Sequence, residues 1–154
     1  MKHLRISALA IFLALIVAGS AMAAGSCVIT RTVAHSPRAD REYQLIEWAW
    51  TSDGSGDVNA ASCIITGVAG YVIAFDRKPG TVTPTDAYVV TLLNQYGADV
   101  LGAKGINSSA TLPQRDMPVQ GVDAFVAPVN GTLELRVSAA GVTKTGTFAA
   151  YIER

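Results

Sequence analysis

From Thr132 to Ser138 the chain alternates without a break: Leu133, Leu135 and Val137 fall on one side, Thr132, Glu134 and Arg136 on the other. A period of two belongs to a β-strand with one face buried and one wet, because successive side chains point to opposite faces. The same period recurs along the chain. Gly146 to Glu153 places Phe148, Ala150 and Ile152 inward, and Ala87 to Leu93 places Tyr88, Val90 and Leu92 together. Cys27 to His35 is rich in Val, Ile and Thr. Glu42 to Thr51 starts with Tyr43 and Leu45 on one face. The adjacent Leu45-Ile46 pair then shifts the alternation so that Ile46, Trp48 and Trp50 share a face, which predicts a bulge near Ile46. After residue 23 no run has the spacing of an amphipathic helix.

Turn residues divide these runs. Ser36-Pro37-Arg38-Ala39-Asp40 is a break, and Ser52-Asp53-Gly54-Ser55-Gly56-Asp57 is a loop by composition. Ser62 to Thr66 and Gly70 to Asp76 read as two short strands around Gly67. Arg77 to Asp86, with Pro79-Gly80 and Pro84, reads as a loop. Asn94 to Gly97 turns the chain and Ala98 to Leu101 pairs back as a hairpin arm. Gly102 to Gln114 is a long polar loop, the kind of segment that carries contacts. Asp123 to Ala127 reads as a strand, Pro128-Val129-Asn130-Gly131 as a turn, and Ala139 to Thr145 turns through Gly141. About eight or nine short strands at this spacing imply an all-β fold. The expected architecture is a single antiparallel β-sandwich, Ig-like or jelly-roll-like, or a small barrel, over residues 24–154.

Residues 1–23 have a different character. Lys2, His3 and Arg5 precede an apolar run from Ile6 to Ala18, and Ala21-Met22-Ala23 has small residues at the −3 and −1 positions of a cleavage site. This is a signal peptide pattern, with an apolar run too short to span a bilayer. Cleavage between Ala23 and Ala24 would leave roughly 130 residues, the size of one domain, in the periplasm or outside the cell. The leader holds two of the twelve Lys and Arg residues, so ten remain against twelve Asp and Glu, a net charge of about −2. That balance argues against a nucleic-acid partner, which needs a clustered basic face. The mature chain has no apolar stretch long enough to span a membrane as a helix. In an oxidising compartment Cys27 and Cys63 most simply form one disulfide. Acylation of Cys27 as a lipoprotein is the alternative, but Ala24-Gly25-Ser26 lacks the usual Leu at −3.

Catalysis needs a base, a nucleophile or a metal held by suitable side chains. His35 is the one histidine of the mature chain and reads as a solvated strand-end residue. No zinc, hydrolase-elbow or phosphate-loop motif is present. We therefore expect no enzyme, no catalytic residue, no cofactor and no metal. Asp53, Ser55, Asp57 and Asn59 stand at alternate positions, like the first ligands of a calcium loop. However, Val58 stands where the motif has Gly, and Ile64 where it has Glu. Trp48 and Trp50 could stack on sugar rings, or could simply be core. Asn107-Ser108-Ser109 and Asn130-Gly131-Thr132 match the glycosylation sequon and read as unmodified, since the alanine-rich leader is of bacterial type.

A wider pattern is carried by Pro79-Gly80, Pro84-Thr85-Asp86-x-Tyr88, Val90-Thr91-Leu92, Tyr96-Gly97-Ala98-Asp99-Val100-Leu101-Gly102 and Gly105-x-Asn107-x-Ser109. It continues through Pro118-Val119, Val129-Asn130-Gly131-Thr132-Leu133-x-Leu135-x-Val137 and Lys144-Thr145-Gly146. Leu45-Ile46-Glu47-Trp48 and Gly67-x-x-Gly70-Tyr71 lie upstream. Over about residues 45–152 the chain resembles small β-rich proteins of the structural-gene clusters of tailed bacteriophages and prophages. The resemblance implies a non-enzymatic virion component acting through protein partners, in the virion or the envelope. With the leader, it implies either a prophage-derived protein exported to the periplasm or cell surface, or a start further downstream. Arg77-Lys78 reads equally as a solvated loop pair or as a contact site.

Overall fold

The computed structural model describes residues 25–36, 41–120 and 123–154. The expected signal peptide and its expected cleavage point between Ala23 and Ala24 lie outside the described residues. The fold is all-β and antiparallel. Its strands are β1 (Ser26–Ser36), β2 (Arg41–Thr51), β3 (Ile64–Pro79), β4 (Val89–Asn94), β5 (Gln114–Asp116), β6 (Val119–Gln120), β7 (Asp123–Ala124), β8 (Ala127–Ser138) and β9 (Thr145–Glu153). A 3-10 turn, Ala61–Cys63, precedes β3.

Seven strands form one sheet in the order β1-β2-β9-β3-β8-β4, with β5 added to β3, while β6 and β7 pair separately. The pivot is β3. Tyr71 and Val72 pair with both β8 and β9, so those two strands occupy opposite edges of β3. The first part of β3 is matched to β8, and its last part lies between β9 and β5. Side chains from the two ends of this sheet meet in one core. Trp48 of β2 packs on Phe148 of β9 at 5.7 Å between ring centroids, and Phe148 stacks on Phe75 of β3 at 5.8 Å. Trp50 of β2 meets Tyr88, just before β4, at 5.7 Å. Leu133, Leu135 and Val137 of β8 and Val90 and Leu92 of β4 complete the buried cluster.

The period-two readings of the last third hold, since Leu133, Leu135, Val137, Phe148, Ala150 and Ile152 are all buried. Five local expectations are corrected. There is no bulge at Ile46: β2 keeps unbroken register with β1 and β9, with Gln44, Ile46, Trp48 and Trp50 inward. Gln44, polar but buried, takes the inward position before Ile46. Its carbonyl accepts a bond from Arg31 and its amide donates to Glu42. The two short strands around Gly67 are one long strand, because a bulge between Ile65 and Val68 absorbs the glycine without ending the ladder. That strand runs on through Arg77, Lys78 and Pro79, which were expected in a loop.

Pro128 to Gly131 likewise lies inside β8, not in a turn, and the strand expected at Asp123 to Ala127 shrinks to the two residues of β7. Gly131, at φ +106, pairs with Val68 at the β3 bulge, so a turn-forming residue serves a mid-strand irregularity.

Candidate functional site

The residues singled out by sequence fall into place one by one. Cys27 of β1 and Cys63 of the 3-10 turn form a disulfide, joining the first strand to the start of β3. Trp48 and Trp50 are 0 % and 2 % exposed, and the Trp48 indole N–H donates to the Cys63 carbonyl at 3.0 Å. They are core and offer no face to a sugar ring. His35 is exposed near the end of β1, across from Glu42.

In the 52–57 loop Asp53 is already occupied by its own chain. Its Oδ1 accepts from the Ser55 hydroxyl at 2.6 Å, the Ser55 amide at 2.8 Å and the Asp57 amide at 2.9 Å. These bonds, the hydroxyl's first, hold its carboxyl below the ordinary range. Asp57 accepts from the Ala139 amide at 3.2 Å, while Asn59 is exposed. Among the described residues no group of three or more His, Cys, Asp and Glu is placed to share an ion.

Arg77 and Lys78, one expected unit, point to opposite sides as strand neighbours must. Lys78 is exposed and Arg77 is 3 % exposed. The Arg77 guanidinium pairs with Asp116 of β5, donates to Ser108 Oγ at 3.0 Å, and lies 5.5 Å from the Phe75 ring centre. Ser108 in turn donates to the Gly105 carbonyl at 3.0 Å. The long loop from Gly102 is thereby tied to the core through a buried cation.

The surface that stands out is the outward face of β1, β2, β9 and β3. Strand pairing puts Thr32, Leu45 and Tyr151 in one row across the first three strands, and Ala34 and Tyr43 in the next. Ile73 is the extra residue of a second bulge, between Val72 and Ala74, and joins Tyr43, Leu45 and Tyr151 around a hollow of about 300 Å³. A neighbouring hollow of about 330 Å³ shares Ile73 and adds Tyr71, 52 % exposed, and Val126. Its rim carries two ion pairs: Arg41 with Glu153, and Arg154, whose Nη1 donates to Glu42 Oε1 at 2.8 Å. The Arg154 bond holds the Glu42 carboxyl below its usual range.

Tyr151 is fixed in place. Its hydroxyl donates to Asp76 Oδ2 at 2.8 Å, and the Arg115 guanidinium lies 4.7 Å over its ring. Arg115 is itself held by two bonds to Asp76, Nε at 2.6 Å and Nη2 at 2.8 Å. Those bonds keep the Asp76 carboxyl below the usual carboxylate range, and the anion in turn raises the Tyr151 phenol. The result is a preorganised apolar hollow walled by rings and methyls and bordered by paired charges. It suits the capture of an aromatic or aliphatic group.

Sequence reasoning placed Tyr43 and Leu45 on one face but did not single out this surface. The signal available was that face together with the outward parity of Tyr151 on the last strand. What no local pattern shows is that β2 and β9 are neighbours. Comparison of the chain with protein-family models, with curated proteins and with solved structures found no match.

Proposed function

We propose that this chain is a non-enzymatic interaction module, a sandwich-like β domain of the kind found among tailed-phage and prophage structural proteins, binding a protein partner through its outer sheet face. The observation that carries this reading is the fixed apolar hollow at Tyr43, Leu45, Ile73 and Tyr151. Solvent-facing sheet surface is ordinarily polar, and contiguous apolar patches on it mark contact sites. Aromatic side chains held rigid in advance lose little freedom on binding, which favours them as anchors.

The test is co-sedimentation. Gradient-purified particles from an induced host are expected to contain the chain at fixed stoichiometry. Leu45→Arg should abolish that association while leaving the circular dichroism spectrum and thermal midpoint unchanged. Particles devoid of the chain would remove the virion reading.

A second reading, an exported envelope or cell-surface binding domain, is favoured by the Cys27–Cys63 bridge, since structural disulfides persist chiefly in oxidising compartments. N-terminal sequencing of the chain from its host separates the two. A start at Ala24 with recovery from the periplasm supports export, and an intact leader in the cytoplasm overturns it.

A further inference from the structure

The two ends of the main sheet are treated differently. Beyond β4, the chain from 98 to 108 returns along the strand. Val90 N–H donates to the Gly105 carbonyl at 2.9 Å, Ser108 N–H to Tyr88 at 2.9 Å, Val100 N–H to Leu92 at 2.8 Å, and Asn94 N–H to Ala98 at 2.9 Å. That edge is covered. At the other end, β1 pairs with β2 alone. The Cys27 amide points away from β2, donating to Ser62 Oγ at 3.1 Å, so the residues in step with it, Ile29, Arg31, Val33 and His35, also present N–H and C=O outward. Among the described residues, no hydrogen bond from those four amides is found.

An open strand edge is a template for pairing, and proteins ordinarily blunt it with proline, lysine, a bulge or a short length. β1 has none of these; its one charge, Arg31, donates to Gln44 Oε1 and to the Gly67 carbonyl at 3.2 Å, which leaves the backbone groups of Ile29, Val33 and His35 open. It runs 11 residues, SCVITRTVAHS, without Pro, Gly or Lys, and its register with β2 is unbroken. Val28 is 72 % exposed and Val33 48 %.

We propose that β1 pairs antiparallel with β1 of a second copy, about a two-fold axis at Thr32, merging the two sheets into one. The register argues for a second copy. With Thr32 opposite Thr32, Ile29 meets His35 and Arg31 meets Val33, each reciprocated, so all four outward residues on each strand are paired through about eight N–H···O bonds. Centring on Arg31 would set guanidinium against guanidinium and call on Cys27, whose amide is taken. Centring on Val33 would set Ile29 beyond Ser36, the last residue of the partner β1. One register satisfies the edge, and it sets no like charges opposite each other. On the outer face Thr32 meets Thr32 and Thr30 meets Ala34, pairs that suit neighbouring strands. Thr32 and Ala34 line the apolar hollow, so the two hollows would flank the seam.

The experiment is molar mass by sedimentation equilibrium of the purified chain, alone and with two substitutions. The expected result is a two-chain mass that dissociates on dilution. Val33→Pro removes an amide that β2 does not use, a position where an edge strand tolerates proline. It should halve the mass while the circular dichroism spectrum is retained. Thr32→Cys places two thiols at a close non-hydrogen-bonded pair, within disulfide reach, and should give a covalent dimer linked through residue 32 on oxidation. Should Val33→Pro fail to fold, Thr32→Lys on the outer face serves in its place, with dissociation at low salt reversed by high salt.

A one-chain mass at all concentrations overturns the proposal. So does a dimer that survives these substitutions and does not cross-link at residue 32, or a β1 edge occupied by a different protein's strand. Leu45→Arg, which tests the outer face, should leave the mass unchanged, so the two readings fail separately.

Discussion

Arg77 illustrates what a buried charge demands of its neighbours. It is enclosed, whereas its partner Asp116 is about one-third exposed. Removing the carboxylate strands a buried cation, and Asp116→Ala is expected to cost about 3–5 kcal/mol. Arg77→Met in the same chain should recover most of that loss, because the thioether fills the space without charge and nothing ionic is left to solvate. Urea unfolding of the single and double variants checks this, and equal loss in both would remove the ion-pair explanation. Asp76 makes the complementary case in a partly open setting. Its folded-state pKa lies below the unfolded value, so its contribution is complete above the unfolded value, about 3.9, and is lost as pH falls through the folded one. The stability gap between the native chain and Asp76→Asn should hold from pH 7 to pH 5 and close below about pH 4. Urea midpoints across that range are the measurement.

Among the elements, β3 bears the most. It serves β8 along one part of its length and β9 along another, and the disulfide ties its approach to β1. The bridge spans 36 positions in sequence, and its loss is expected to lower stability by roughly 3–4 kcal/mol on the chain-entropy account. Unfolding with and without reductant, compared with a Cys27→Ser/Cys63→Ser double variant, tests it. In β8, Gly131→Ala should cost about 1–3 kcal/mol, because φ +106 is a conformation that L side chains rarely adopt. An unchanged unfolding midpoint would show that the strand relaxes there. The Asn130-Gly131 pair reads locally as hairpin chemistry, and only its place opposite the β3 bulge converts it to strand.

For the molecule as a whole, strand order sets local stability. β2, β9 and β3 are paired on both sides and carry Trp48, Phe148 and Phe75, so their amides should exchange slowest with deuterium. The two-residue β6–β7 pair should exchange fastest, and the outward amides of β1 should be slow only where a partner strand covers them. Hydrogen exchange at two protein concentrations resolves all three classes, since protection gained on the outward β1 amides at high concentration reports pairing.

Burial of one face follows from alternation alone, because a strand's side chains can only alternate. The inward set of β8 and β9, and the burial of Trp48 and Trp50, are therefore legible in the amino-acid order. So was the pairing of two cysteines, where two thiols in one small domain leave one intramolecular choice. Pairing partners are not legible in this way. Nothing near Tyr43 or Leu45 says that Tyr151 will stand beside them, since the strands that bring them together are separated by most of the chain. Nor does the Arg77-Lys78 pair say that one cation will be buried, because that depends on Asp116 arriving from β5. The outer hollow, the buried cation and the open β1 edge all depend on contacts distant in sequence, which only the assembled sheet supplies.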